Sequence, residues 1–372
     1  MGSIVGRKLI ILGAAIVAAR AVAADELRVG VAGPFSGPLA ALGEQLKRGA
    51  EQFVSDQNGK GGVLGRRLAL QEADDQCDPR QAVAVANQLA TQQVAVVIGH
   101  ACSGSSIPAS DVYSDAGIIE ISPSSTNPQF TERGHKNVFR TIGRDDQQGT
   151  FGGRYVAEHF KGANVAIAHD KSAYGQGLAE EAKAALIGAG VRPVLEEALT
   201  AGDKDFSAFV TKLKASHVDV LYYGGYHPEA GLIVRQSADH GVKLQLVGGD
   251  ALDTIDFAAI AGTAGDGTLF SFAPDARKLP SAQGVTAEFS EAGYDPEGYT
   301  LYTYAAFQAW AEAAIKAKSF KSGDVATALR SDTFKTVIGD LRFDDNGDLK
   351  GPRFEMYRWQ CDTSPAKYVP VQ

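Results

Sequence analysis

Apolar, β-branched runs alternate with helical patterns along most of the chain. "LRVGVAG" from Leu27, "RRLALQEA" from Arg66, "VAVVIG" from Val94 and "GIIEIS" from Gly117 read as strands. A second set follows: "NVAIAHD" from Asn164, "VRPVLEEA" from Val191, "VDVLYYGG" from Val218 and "LQLVGGD" from Leu244. Between them, apolar positions recur at helical spacing in "LGEQLKRGAEQFVSDQN", "PRQAVAVANQLATQ" and "YGQGLAEEAKAALIGAG". Gly188 and Gly190 stop the last of these. Strand–helix–strand alternation predicts parallel sheets wrapped by helices, and two such sets predict two doubly wound α/β domains. The rhythm breaks near the end, where the helix "TYAAFQAWAEAAIKA" leads into "LRFDDNGDLKGPRFEMYRW". Alternating runs around Asn346 and Gly347 predict a β-hairpin. "DDNGD" is read as its turn, because the glycine stands at the wrong position for an EF-hand calcium loop.

Residues 1–24 follow a different pattern. Arg7 and Lys8 precede the apolar "LIILGAAIVAA", and "AVAADE" supplies small residues at a cleavage point before Ala24 or Asp25. A positive start, a short apolar centre and an A-x-A-like end predict a secretory signal peptide. The run is too short to span a bilayer and carries Arg20 at its end. An exported, soluble mature protein is expected.

Composition fits this picture. The 372 residues are 44% hydrophobic and 22% charged, enough for two domains with real cores. A formal charge of −8 gives no support for nucleic-acid or anionic-membrane partners. Export also changes the reading of the three cysteines, since an oxidising compartment favours pairing. Cys77 and Cys102 end two strand-like runs that parallel pairing can bring side by side, whereas Cys361 is remote. A Cys77–Cys102 disulfide is predicted, with Cys361 left over.

Catalytic and metal readings find little to use. The residues around Ser103, "HACSGSS", lack the G-x-S-x-G of a hydrolase elbow. His100 and Cys102 are an isolated pair of metal-ligand types, with the thiol expected to be oxidised. "GVAGPFSGPLAALG" departs from the dinucleotide G-x-G-x-x-G. No enzyme, cofactor or metal is therefore expected. A binding reading uses the same residues better. "CSGSS" places Ser103 and its neighbours between a strand and a helix, where hydroxyls and bare N–H groups make an anion site. "ISPSSTNP" repeats the design with Ser124, Ser125 and Thr126 after the next strand. Each serine taken alone reads as a helix cap; two clusters at adjacent strand ends favour a carboxylate cradle. Tyr174, Tyr226 and Asp250 end strands of the second set. There they suit an apolar side chain and an ammonium, against the alternatives of packing and helix capping.

These segments, together with "SGPLAALGEQ", "DDQCDPRQAVAVANQL", "VIGHACSGSSIPASD", "HDKSAYGQG" and "VLYYGGYHPE", resemble the periplasmic leucine/isoleucine/valine-binding proteins of ABC importers. The resemblance runs from about Leu27 to Trp359. It implies a type I periplasmic binding protein, with two doubly wound parallel-sheet lobes joined by three hinge strands. Residues 25–144 with 274–355 would form the first, ligand-gripping lobe; 145–273 with 356–372 would form the lobe that closes. By resemblance, Ser103 and Thr126 hold the carboxylate, and the Ser124 carbonyl and Asp250 hold the ammonium. Tyr174, Tyr226 and Tyr299 wall the side chain, and Cys77–Cys102 is the family disulfide. Leu42 stands where the family has a pocket Tyr, Ala101 beside Cys102 where it has a larger aliphatic residue, and Asp250 where it has Glu. These departures imply a reshaped pocket, suited to larger aliphatic residues or phenylalanine. The implied protein is a monomer working with membrane permease subunits. The alternatives are the same scaffold carrying an aromatic or other small carboxylate, and a secreted hydrolase.

Overall fold

The first set of apolar runs folds into Leu27–Gly33 (β1), Leu68–Asp74 (β2), Val96–Ile98 (β3) and Ile119–Ser122 (β4), extended by the short Val138–Arg140 (β5). The structure is a computed structural model and describes residues 26–371, so the predicted signal peptide lies outside the described residues. The five strands form one parallel sheet in the order β2-β1-β3-β4-β5. The chain winds outward in opposite directions from β1 and β3. That divergence opens a crevice at the carboxyl ends of the strands.

The second set gives Val165–His169 (β6), Leu195–Ala198 (β7), Val220–Gly224 (β8), Gln245–Gly248 (β9) and Leu269–Phe272 (β10). A small antiparallel pair, Phe334–Thr336 (β11) with Gly339–Leu341 (β12), follows much later. Glu355–Gln360 (β13) and Lys367–Pro370 (β14) then return to the second sheet as an antiparallel edge. That sheet runs β14-β13-β10-β9-β8-β6-β7. Its parallel part repeats the winding of the first, with β6 and β8 in the places of β1 and β3.

The chain passes between the sheets three times: after β5, after β10, and before β13. On the second passage Thr300–Ala317 forms a largely buried helix that packs on the helix Ala40–Gly59 and on β3 and β4. Its buried aromatics explain the seating: Phe307 stacks on Phe53 at 5.2 Å, and Tyr304 meets the same ring edge-on at 5.4 Å. Local chemistry fixes two further helix starts. Asp78 accepts from the N–H groups of Arg80 and Gln81 with Pro79 in the first turn, and Ser172 accepts from Gly175 N–H. Gly43 lets its helix lie on the exit of β1, since a Cβ there would stand 2.0 Å from the Pro34 carbonyl oxygen.

The predicted hairpin is present but much shorter than expected. Asp344–Asp348 does turn, with a single antiparallel bridge between Phe343 and Leu349. The flanking runs pair elsewhere: Gly339–Leu341 with β11, and Glu355–Gln360 with β10 and β14. Gly351 and Pro352 interrupt the second run, and a proline cannot donate to a ladder. Cys77 and Cys102 are disulfide-bonded with Cα atoms 5.6 Å apart, and Cys361 is unpaired and half-buried. Among the described residues no helix is long and apolar enough to cross a membrane.

Candidate functional site

The loops at the carboxyl ends of the two sheets meet across one cleft, and the cleft is closed. Gln45 donates to Asp253 O (3.0 Å) while accepting from Tyr299 N–H (3.0 Å), and Asn127 Nδ2 donates to Ala173 O (2.7 Å). The residues expected to bind the ligand are buried, between 0 and 8% exposed.

On the wall after β3 and β4, hydroxyls stitch two loops together. The His100 carbonyl accepts from Ser122 (2.7 Å), Ser106 (3.1 Å) and Ser125 (3.3 Å). The His100 ring is fixed between Asp75 and the Tyr113 hydroxyl, which holds that carbonyl in place. Ser124 Oγ donates to Ala101 O (2.9 Å). The hydroxyls of Ser124 and Ser125 are thus given to scaffold carbonyls and not to a cradle, while the role expected of Ser124, through its backbone carbonyl, does not use its hydroxyl. Ser103 and Thr126 differ. Ser103 Oγ accepts from Asn127 N–H (3.2 Å), outside its own helix, and so keeps its proton to donate. The Thr126 hydroxyl has no partner although it is fully buried. Ser103 also opens the helix Ser103–Asp115, which follows β3 at the carboxyl end of the first sheet, where a helix N-terminus favours negative charge.

Behind this wall lies a buried cation. Arg140, at the end of β5, donates Nη1 to Ser125 O (2.7 Å) and Nη2 to Asn127 O (3.0 Å) and to the Thr131 hydroxyl. Asp348, from the acidic turn, accepts from Arg140 Nε (2.7 Å) and Arg144 Nη1 (2.9 Å). The guanidinium fixes the loop around Thr126 from beneath.

The opposite wall comes from the loops after β6, β8 and β9. Gly175 and Gly224 let the helix Ala173–Gly188 touch the end of β8, where a Cβ on Gly224 would sit 2.0 Å from Gly175 O. That approach sets the Tyr174 and Tyr226 rings 5.2 Å apart. Tyr174 donates its hydroxyl to Asp250 Oδ1 (2.9 Å); Asp250 caps no helix, and its Oδ2 has no partner. Burial pushes the Asp250 carboxyl up to about 6, with the Tyr174 and Tyr299 hydroxyls and Gln148 pulling the other way. Leu42, Ala101 and Cys102 are buried in the same apolar cluster as Tyr174, Tyr226 and Tyr299. Beside the disulfide, a groove of about 620 Å³ opens between the lobes, lined by Leu39, Cys102, Ile107, Ser172 and Tyr226 among others.

A family model described as periplasmic binding protein matches residues 26–363. The chain belongs to the periplasmic binding protein family. It is 48% identical over 348 residues to the Leu/Ile/Val-binding protein homolog 1 of Brucella melitensis, covering 93% of this chain and 94% of that one. It is 40% identical over 348 residues to the leucine-, isoleucine-, valine-, threonine- and alanine-binding protein of Pseudomonas aeruginosa, 93% of each chain being covered. Among solved structures it resembles the branched-chain amino acid transporter substrate-binding protein LivJ of Streptococcus pneumoniae in complex with isoleucine. There the TM-score is 0.82 at 26% identity, over 93% of this chain and all of the other. The type I fold and the family read from the sequence both hold.

Two site residues escaped the sequence reading. Gln45 bridges the lobes, and Asp145 adds a second buried acid within reach of Asp250's charge. Asp145 sits in "GRDDQQG", where an acid in a helix's first turn is ordinary and carries no signal of its own. Among the described residues no group of three or more His, Cys, Asp or Glu is placed to hold a metal ion.

Proposed function

We propose that this protein captures branched-chain or neighbouring apolar amino acids by lobe closure. It acts in the periplasm and presents its cargo to the permease of an ABC importer without altering it. In this reading residues 25–144 with 274–355 grip the ligand, and 145–273 with 356–372 close over it. The observation that carries it is the polarity of the closed cleft. One wall offers the Ser103 and Thr126 hydroxyls and a helix N-terminus; the other offers Asp250 with a free oxygen. Such a cleft complements a zwitterion, its carboxylate on the donor wall and its ammonium on the acidic one. Tyr174, Tyr226 and Tyr299 then enclose the side chain. The names of the Brucella and Pseudomonas relatives and the isoleucine complex of LivJ support the same class of cargo. Leu42 and Ala101 favour a roomier side-chain end, so phenylalanine and long aliphatic residues join leucine, isoleucine and valine as candidates.

Titration calorimetry of the purified chain against the twenty amino acids tests this. One or more apolar amino acids are expected to bind with one-to-one stoichiometry. Silence across the whole panel, with heat from aromatic acids that lack an ammonium, would overturn the ligand class. Recovery of chemically changed ligand would overturn the non-catalytic reading.

A further inference from the structure

The chain that follows Asp250 is held from across the cleft. After the turn Asp250–Leu252 it runs through Asp253 and Thr254 into the helix Ile255–Ala261, on the side of the second sheet. Opposite, on the side of the first sheet, stand Gln45 and the loop from Asp295 to Tyr299. Glu297 Oε1 accepts from Ile255 N–H (3.3 Å) and from the Thr254 hydroxyl (3.5 Å), and Gln45 donates to Asp253 O (3.0 Å). Gln45 belongs to the same latch. Tyr299 N–H donates to it, and Gly298, with φ at 52°, makes room for it: a Cβ there would stand 2.3 Å from Gln45 Oε1. Three consecutive residues of one lobe are thus gripped by one loop and one side chain of the other. Asp253 N–H donates back to Asp250 O (3.0 Å), so the grip extends to the turn that carries Asp250.

The seam is rich in acids. Asp253 is buried with its Oδ1 unpartnered, and Asp295 lies on Glu297's own loop. Arg277, the cation that acts on Glu297, gives its donors to Asp275, Asp295 and Tyr368. Arg48, on the helix that carries Gln45, pairs with Glu44 (2.6 Å) and lies over the Tyr294 ring. Tyr294 and Tyr368 are raised by burial and neutral at ordinary pH. An ionised Glu297 would therefore face Asp253 and Asp295 with no cation of its own. The neutral acid avoids that repulsion and keeps an oxygen to accept from Ile255 and Thr254. Burial first, then the charge of Asp295, raise this carboxyl from 4.5 to about 7, against the pull of Ile255 N–H, Arg277 and Gln45.

We propose that Glu297 is a positioning residue for closure: it holds the Asp250 turn from across the seam in its protonated form, so that closing on an amino acid takes up a proton. This rests on the reading above, in which capture is lobe closure on an amino acid. The proton comes from solvent and goes to the Glu297 carboxylate, which is hydrated while the lobes stand apart and loses water when they meet. The sign follows from linkage. Closure is strongest at acid pH, where Glu297 is neutral in both states, and weakens as pH rises through the range in which only the closed form keeps the proton.

Calorimetry of the full chain with L-leucine, from about pH 5 to about pH 8 in buffers of contrasting ionisation heat, counts the protons. The expected result is uptake of more than about half a proton per leucine near about pH 6, with affinity falling roughly tenfold or more across the range. Glu297→Gln keeps an acceptor oxygen and stands in for the neutral acid. It should lose most of the uptake, bind within about fivefold of wild type near about pH 5, and bind roughly tenfold or more tighter than wild type at about pH 8. A side chain that only packed the seam would weaken binding equally at both pH values. Glu297→Ala, which also lacks the acceptor, should bind more weakly than Glu297→Gln throughout. Wild-type leucine binding with no proton uptake and flat affinity overturns the inference and leaves the amino-acid reading standing, whether or not the variants fold. So does a Glu297→Gln protein with the wild-type proton count. Silence of the whole amino-acid panel overturns the underlying reading, and this inference with it.

Discussion

Replacing Asp250 by Asn should move stability and affinity in opposite directions. In the closed cleft the carboxyl is fully buried and raised from 3.8 to about 6. That rise corresponds to about 3 kcal/mol against the charged form. The sign follows from linkage. Between about pH 4 and about pH 6 the folded chain holds the proton and the unfolded chain has lost it, so this group's contribution to stability falls with rising pH and then stays low. Asn carries no charge in either state. The ligand-free variant should melt higher than wild type at about pH 8, by up to about 3 kcal/mol in stability, and nearly equally at about pH 4. Binding should suffer, because a desolvated ammonium loses a charged partner, at about 3–5 kcal/mol or at least a hundredfold in Kd. Calorimetric melts at both pH values and leucine titrations at about pH 8 read the two effects. Leucine affinity within about threefold of wild type would refute the reasoning, since it would mean the ammonium is held elsewhere. A ligand without an ammonium would instead bind the variant more tightly.

Three further outcomes follow from the same geometry. The Cys77→Ser/Cys102→Ser double variant frees a loop of sequence separation 25 and should lose about 3–4 kcal/mol in chemical denaturation. Asp348→Asn leaves the buried Arg140 without its ion-pair partner. It should destabilise the chain by about 3–5 kcal/mol and loosen ligand binding with it, read by paired melts with and without leucine. Gln45→Ala removes the hydrogen bond to Asp253 O that ties the closed lobes, together with one from Tyr299 N–H within the first lobe. Leucine binding should weaken by about 1–3 kcal/mol, chiefly through faster dissociation measured by stopped-flow fluorescence.

Much of the architecture was legible because the strands are continuous apolar runs bounded by glycine and polar residues. The eight runs singled out all became strands: the inner ones are buried on both faces of a parallel sheet, which demands that pattern, and the half-exposed β2 and β7 form its edges. Val138–Arg140 was missed because three residues ending in arginine carry no periodic signal; the arginine is there to brace the Thr126 loop. Glu355–Gln360 was read into a hairpin because alternation names a strand without naming its partner. In the site, Ser103, Thr126, Tyr174, Tyr226 and Asp250 stood out by lying just beyond strand ends. Which hydroxyls remain free was not legible. That depends on the His100 and Ala101 carbonyls, acceptors identical along the backbone until the fold chooses among them. Asp145 was hidden for a related reason: only the packing of Asp250's loop against its helix makes an everyday first-turn acid exceptional.

The disulfide has a consequence for how the two jaws share the work of capture. It ties the loops that follow β2 and β3, and the hydroxyl stitches bind the loop after β4 to the same block. The matching loops after β7 and β8 have no covalent tie, and the strands before the second jaw's site end in the glycine pairs Gly224–Gly225 and Gly248–Gly249. One jaw is therefore cast in its final shape before any guest arrives, and the entropy lost on capture is paid mostly by the other. Amide exchange should record this lopsidedness as early protection at Ser103–Asn127 in the empty protein and late, guest-dependent protection around Tyr226 and Asp250.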